Sequence, residues 1–331
     1  MRILFIGGTG NISSDCADLL QKQGDEIQIL SRGRMAVPPG MSALVADRKH
    51  LASMRSALQG PAPDVVINFL GYELSDVEID FQLFSGIIRQ YIFISSATVY
   101  LKPPPRLPIT EDTRKGNPFW DYAQKKVACE EWLLRAADES GFPVTIVRPS
   151  HTYSKRWVPN PVSSSSYTFA TRLEKDKPVF VPDLGENPWT LTAASDFAVG
   201  LSGLVGKQEA LGEAFHITSD EVLTWNQIVA EIAAALNVKS PKVVKVPTDF
   251  ICEIAPQMSG SLKGDKSHPG VFDNSRIKRF VPQYCCLKPF RIGVRESIAW
   301  LRQHPEQQNL SAKVDALCDQ VISGWERKHS R

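Results

Sequence analysis

The chain has 331 residues, of which 43% are hydrophobic and 22% charged, and its formal net charge is +2. That composition supports one large core plus a smaller lobe, and without a basic block it favours a small-molecule substrate over nucleic acid as partner. Strand-like residues from Arg2, the lack of a membrane-length apolar run and six cysteines without a C-x-x-C pair predict a cytoplasmic protein with reduced thiols, no membrane partner and no metal.

In chain order, apolar segments predict strands at Arg2–Ile6, Glu26–Leu30, Ala43–Ala46, Val65–Phe69, Tyr91–Ser95 and Val144–Val147. Helical patterns fall between them, at about Ile12–Gln23, His50–Leu58, Ser75–Ile88 and Asn117–Ser140. The alternation predicts an α/β fold, a Rossmann-like doubly wound parallel sheet with a smaller C-terminal substrate lobe. Residues 154–168 hold two prolines and the run Ser163–Ser166, which suggests a mobile surface loop, a lid over the substrate. Further elements are a strand at Ala214–Thr218, a Thr224-capped helix at Trp225–Leu236, a strand at Val243–Val246, a Gly/Ser-rich stretch near 259–264 and a helix at Ile292–Gln303. Val314, Leu317, Val321 and Ile322 form the stripe of a final amphipathic helix. The expected domains are a dinucleotide-binding unit over 1–153, completed by about 190–220, a substrate lobe from 154–189 and 221–304, and a C-terminal helix over 305–331.

The first strand runs into Gly7-Gly-Thr-Gly10-Asn-Ile-Ser13 and then a helix. Gly7 and Gly10 allow a tight turn and close phosphate approach, with Thr9, Asn11 and Ile12 at the helix mouth and small Ser13 in place of a third glycine. The second strand ends Ile29-Leu-Ser-Arg-Gly-Arg34, with no acid to hold a ribose hydroxyl. Arg32, helped by Ser31, suits a 2′-phosphate, which favours NADP over NAD; the plainer alternative is a pair of solvated arginines. Asp47 and Arg48 follow the third strand, where Asp47 could accept from the adenine amine.

Tyr122 and Lys126 stand one helical turn apart on one face. An ammonium near a phenol favours phenolate and would draw the tyrosine toward working range as an acid/base. Ile92-Phe-Ile-Ser-Ser-Ala-Thr-Val-Tyr100 ends a strand in hydroxyls at the sheet edge, where Ser96 could meet a reacting oxygen. Each motif alone also fits an ordinary turn, helix face or strand cap.

Taken in order, Gly-Gly-Thr-Gly, Ser-Ser-Ala-Thr-Val-Tyr, Tyr-x-x-x-Lys, Arg148-Pro149 and Asp196-Phe-Ala198 resemble the extended, nucleotide-sugar-epimerase-like branch of the short-chain dehydrogenase/reductase superfamily, over residues 1–303. The resemblance implies Ser96, Tyr122 and Lys126 as catalytic residues, and Phe69, Leu70, Gly71, Pro149 and His151 against the cofactor with Lys126. Tyr72, His151 and Trp189 would face the substrate, His151 falling where nucleotide-sugar epimerases carry an asparagine. Several departures qualify it. The Leu70–Gln90 connection lacks about one helix, leaving the branch's dimer and hence the oligomeric state open. Tyr153-Ser-Lys155 replaces Tyr-Gly-Pro, Trp189 stands near a diphosphate-binding arginine's place, and Ala97-Thr98 replaces the Asp-Glu of sugar dehydratases, disfavouring dehydration. The implied activity is NAD(P)-dependent reduction, oxidation or epimerisation at a secondary alcohol or ketone of a sugar-like substrate. The alternative is a catalytically silent dinucleotide-binding scaffold or RNA-associated protein.

Overall fold

The computed structural model describes residues 1–329. Six successive strands, β1 (Arg2–Ile6), β2 (Glu26–Ser31), β3 (Ser42–Val45), β4 (Val65–Asn68), β5 (Gln90–Ile94) and β6 (Val144–Pro149), join Ala214–Ile217 in one seven-stranded sheet. Every pairing is parallel, and from one edge the order is Ala214–Ile217, β6, β5, β4, β1, β2, β3. The central strands read as continuous apolar runs because both faces are covered.

Alternation along β1 divides the core. Ile3 and Phe5 enter a cluster with Cys16, Ala17 and Leu20 of α1 (Ser13–Lys22), and with Phe197, Leu201 and Leu204 of the helix Ala194–Leu204. Leu4 and Ile6 face the other layer, made by Met54 of α2 (Leu51–Ala57), Val77 and Phe84 of α3 (Leu74–Phe84), and Cys129 and Leu133 of α4 (Asp121–Ser140). β1 has β2 on one side and β4 on the other, so the order reverses there and a cleft opens at the strands' carboxyl ends.

Two helix boundaries differ from the pattern. α4 starts at Asp121 rather than Asn117: Pro118 disfavours helical geometry at Asn117, whose amide donates to Thr98 O and Gly264 O. α3 stops at Phe84 rather than Ile88, since Ser85 is extended and Gly86 turns left-handed at φ 72°.

The second lobe packs the helices Thr168–Glu174, Trp225–Leu236 and Phe290–Gln303 around a core including Phe169, Ile228, Val229, Ile232, Val294 and Ile298. Thr224 caps the second of these in a reciprocal box with Gln227. The parallel pair Val179–Pro182 and Val243–Val246 carries a further cluster, covered by Cys318, Val321 and Ile322 of the helix Ala312–His329. Of the expected C-terminal segment 305–331, residues 330 and 331 lie outside the described residues. The Gly/Ser-rich stretch is wound into Ser259–Ser261 and a wide π turn, Leu262–Lys266. All six cysteines are free, and no helix among the described residues is long and apolar enough to cross a membrane.

Candidate active site

The loop between β1 and α1 forms the cleft floor. Gly7 has φ 87°, and a Cβ there would lie 2.5 Å from Leu70 Cγ, so this turn requires glycine. Ser13 fills the third glycine's place and adds a bond, its Oγ accepting from Gly10 N at 2.9 Å. The Asn11 side chain is committed to protein contacts. Its amide donates to Thr152 O at 3.0 Å and accepts from Ser154 N and Oγ, tying the loop to the chain beyond β6. Arg156 reaches the same loop through Thr9 O, a contact the sequence did not signal.

On one side of this floor lies a cavity of about 530 Å³, lined by Gly7, Thr9, Gly10, Ser31, Arg32, Asp47, Arg48, Leu70 and Tyr72 among others. Arg32 stands exposed in its wall; Asp47 caps its own turn by accepting from Lys49 N at 3.0 Å. Arg48 presents little to the cavity. Its guanidinium donates to Asn68 Oδ1 and Asp76 O and lies 3.4 Å from Asp80, balancing buried carboxylates beneath the cleft. Asn68 Oδ1 also accepts from Leu70 N at 2.7 Å, so this network fixes the backbone opposite Gly7.

On the other side a cavity of about 620 Å³ brings together Ile12, Phe69, Tyr72, Ser96, Tyr122, Lys126, Pro149, His151 and Trp189. Tyr72 lines both cavities, and the glycine loop borders both, so an elongated ligand with a central diphosphate fits across them. α4 carries Tyr122 and Lys126 into the cleft because its buried stripe continues through Cys129, Glu130 and Leu133. Arg148 of β6 locks the helix by gripping both Glu130 oxygens, at 2.9 and 2.8 Å.

Lys126, 1% exposed, donates to Gly71 O and Ile94 O, both at 2.7 Å. Gly71 thus contributes its carbonyl, and a Cβ there would strike Phe93 at 2.6 Å. Burial holds the Lys126 ammonium down at about 8. Tyr122 departs from expectation in sign. Burial pushes its phenol up to about 12, opposed by a hydrogen bond from Ser96, because Lys126 is committed to carbonyls and lies 5.9 Å from the ring centre. The Tyr122 phenol therefore stays neutral at neutral pH. Ser96 Oγ accepts from Thr98 N and Thr98 Oγ1, leaving its own proton for Tyr122 or a substrate oxygen.

His151 Nε2 meets Ser164 Oγ at 2.7 Å, and burial lowers its pKa to about 3, so it acts as a neutral polar group. Trp189, 3% exposed, packs on Trp225 and against Gly270; it is a wall and offers no free stacking face. The sequence missed Trp120, Asp265 and Lys266 at this cavity, whose wall also holds Trp157 and Ser163–Ser165 of the segment expected to lie over the substrate. The serine run is pinned by Asn160, whose amide accepts from Val162 N and Ser163 N and donates to Val158 O and Ser163 O. A lone asparagine between prolines was the available signal.

The sequence profile described as the NAD dependent epimerase/dehydratase family matches residues 3–217. The chain belongs to that family. Among curated members of wider kinship, 2'-dehydrokanamycin reductase of Streptomyces kanamyceticus is 24% identical over 86% of this chain and 80% of its own length. Chloroplast stem-loop binding protein of 41 kDa b from Arabidopsis thaliana is 28% identical over 75% and 67%. In fold, this NAD dependent epimerase/dehydratase family member is similar to a dTDP-glucose 4,6-dehydratase from Bacillus anthracis in complex with NAD: TM-score 0.74, 17% identity, 92% of this chain and 98% of that one.

Proposed function

We propose that the protein is a reductase, with a preference for NADP, acting on a ketone of a sugar-like molecule. The observation that carries this reading is Ser96, Tyr122 and Lys126 gathered in one cavity that continues into the glycine-floored cleft. A bound nicotinamide dinucleotide supplies hydride to the carbonyl carbon. Tyr122, protonated at neutral pH, gives its proton to the oxygen as charge develops, and Ser96 steadies that oxygen with a hydrogen bond. Lys126, beside Tyr72 and Tyr122, would hold the ribose of a bound nicotinamide dinucleotide. The remaining wall, rich in indoles and hydroxyls, suits the apolar faces and hydroxyls of a sugar ring. Arg32 in the neighbouring cavity favours a 2′-phosphate. The relative named as a reductase supports net reduction over epimerisation, and Ala97 and Thr98, where an acid pair would be needed, weigh against dehydration.

The test is to release and identify the dinucleotide bound to purified protein, then follow ketone-dependent oxidation of NADPH and NADH. Tightly held NAD with no net consumption of either would indicate an epimerase instead. A second reading, an RNA-associated protein, is favoured only by the stem-loop binding relative. Salt-resistant retention on RNA without carbonyl turnover would support it.

A further inference from the structure

Asp265 and Lys266 are consecutive in the wide π turn Leu262–Lys266, and both line the cavity that holds Tyr122. Such turns often mark functional positions. This one is fastened to the catalytic side: Asn117 donates to Gly264 O at 2.6 Å and to Thr98 O at 2.8 Å. Close packing against Trp120 requires Gly260 and Gly264, where a Cβ would approach the indole residue to 2.5 and 2.7 Å.

The charges around this turn do not balance. Lys102, its side chain fully buried, lies 3.7 Å from the Asp265 carboxylate and has no hydrogen-bond partner. Lys266 donates to Pro161 O at 3.2 Å, and no carboxylate among the described residues forms an ion pair with it. The buried Lys102 and the half-buried Lys266 thus share one carboxylate. Lys126, the remaining charged residue of this cavity wall, is held by two backbone carbonyls. A partly desolvated ammonium whose counter-charge is shared is costly, and burial, outweighing the attraction of Asp265, pulls Lys266 below its ordinary pKa.

We propose that Lys266 is a specificity residue that pairs with an anionic substituent, a carboxylate or a phosphate ester, carried by the same ring whose carbonyl meets Tyr122. Lys102 neutralises Asp265, and the substrate's anion supplies the charge that Lys266 lacks. A neutral ring leaves that ammonium unpaired and is discriminated against. The proposal rests on the sugar-like reading of this cavity and narrows it to acidic sugars.

The experiment titrates full-length, NADP-saturated protein with glucose, glucuronate and glucose 6-phosphate, three probes with related rings, following the fluorescence of tryptophans that include Trp120 and Trp157 of the cavity wall. At least one anionic sugar should bind about tenfold or more tighter than glucose, as expected for one charge-assisted contact. The two anionic arms separate carboxylate from phosphate. Lys266→Met should bring the anionic sugars within about twofold of glucose, whereas Lys266→Arg should keep the preference. Equal binding of all three probes, no binding of any, or a preference that survives in Lys266→Met overturns the proposal. UDP binding that depends on Lys266 also overturns it, by assigning the lysine to a distal diphosphate. Ketone-dependent NADPH oxidation by wild type and Tyr122→Phe judges the hydride-transfer reading separately, so either can fail alone.

Discussion

The two walls of the cleft are built by different means. On the dinucleotide side, Gly7, Arg32 and Asp47 each follow a strand of one sheet, so successive strand ends deliver them to a common edge. On the substrate side, Trp157, Ser163–Ser165, Trp189 and the Asp265–Lys266 turn come from segments spread over more than a hundred residues and from no common sheet. Their positions depend on side chains that grip backbone, notably Asn160 and Asn117, and on glycines that admit an indole. A parallel sheet positions chemistry by topology; the second wall needs specific polar contacts, and damage should follow that division.

The largest expected effect lies where the walls meet. Tyr122→Phe should lower turnover by ~10²–10⁴-fold while dinucleotide affinity, measured by titration, stays near wild type. Loss of less than about tenfold would remove Tyr122 from the chemistry. On the sheet side, Arg32→Ala should weaken NADP by about 1.5–3 kcal/mol and NAD far less, read from paired binding isotherms. Equal losses would leave Arg32 a solvated side chain.

On the second wall, Gly264→Ala places a Cβ 2.7 Å from Trp120 Cβ, an atom close to the backbone with little freedom to yield. Overpacking of this kind should cost about 1–3 kcal/mol in denaturant unfolding. It should also displace Asp265 and Lys266 and raise KM more than it lowers kcat. An unchanged KM would show that the turn does not touch substrate.

Acid should reach both regions through two desolvated histidines, His151 half-buried and His216 fully buried. His151 and His216 are held down at about 3 by burial, whereas an unfolded histidine takes a proton near 6.5. Below that value the unfolded chain binds protons that the folded chain does not, so stability falls as pH drops from about 6.5 toward 3. Each histidine contributes up to about 1.4 kcal/mol per pH unit across that window. His151→Asn should flatten the fall in Tm between about pH 7 and pH 5 relative to wild type, and an identical slope would refute its neutral burial.

Much of the first wall was legible because its signals are local. Strand β1 and the helix Trp225–Leu236 occupy the segments that periodicity and capping predict, and β4, β5 and β6 are displaced by a residue or two. Tyr122 and Lys126 could be paired from spacing alone, since four residues make one turn of a helix. The contacts of segment 154–168 were not legible, because serines and prolines resemble a loose loop in composition. Asn160, Ser166 and Tyr167 tie it down through bonds to its own backbone and to Gln308 and Asn309.

By itself, then, the sequence determined the parallel sheet and the glycine turn, and pointed to Ser96, Tyr122 and Lys126 as the proposed trio, since strand periodicity, helical spacing and glycine's freedom act over a few residues. Tertiary structure alone decided which charges are committed and which remain available. It turned the side chains of Arg48 and Asn11 inward, raised the Tyr122 phenol by burial and set Lys266 beside the site with only a share of Asp265 as counter-charge. Desolvation and pairing depend on neighbours brought from across the chain, and no local pattern records them.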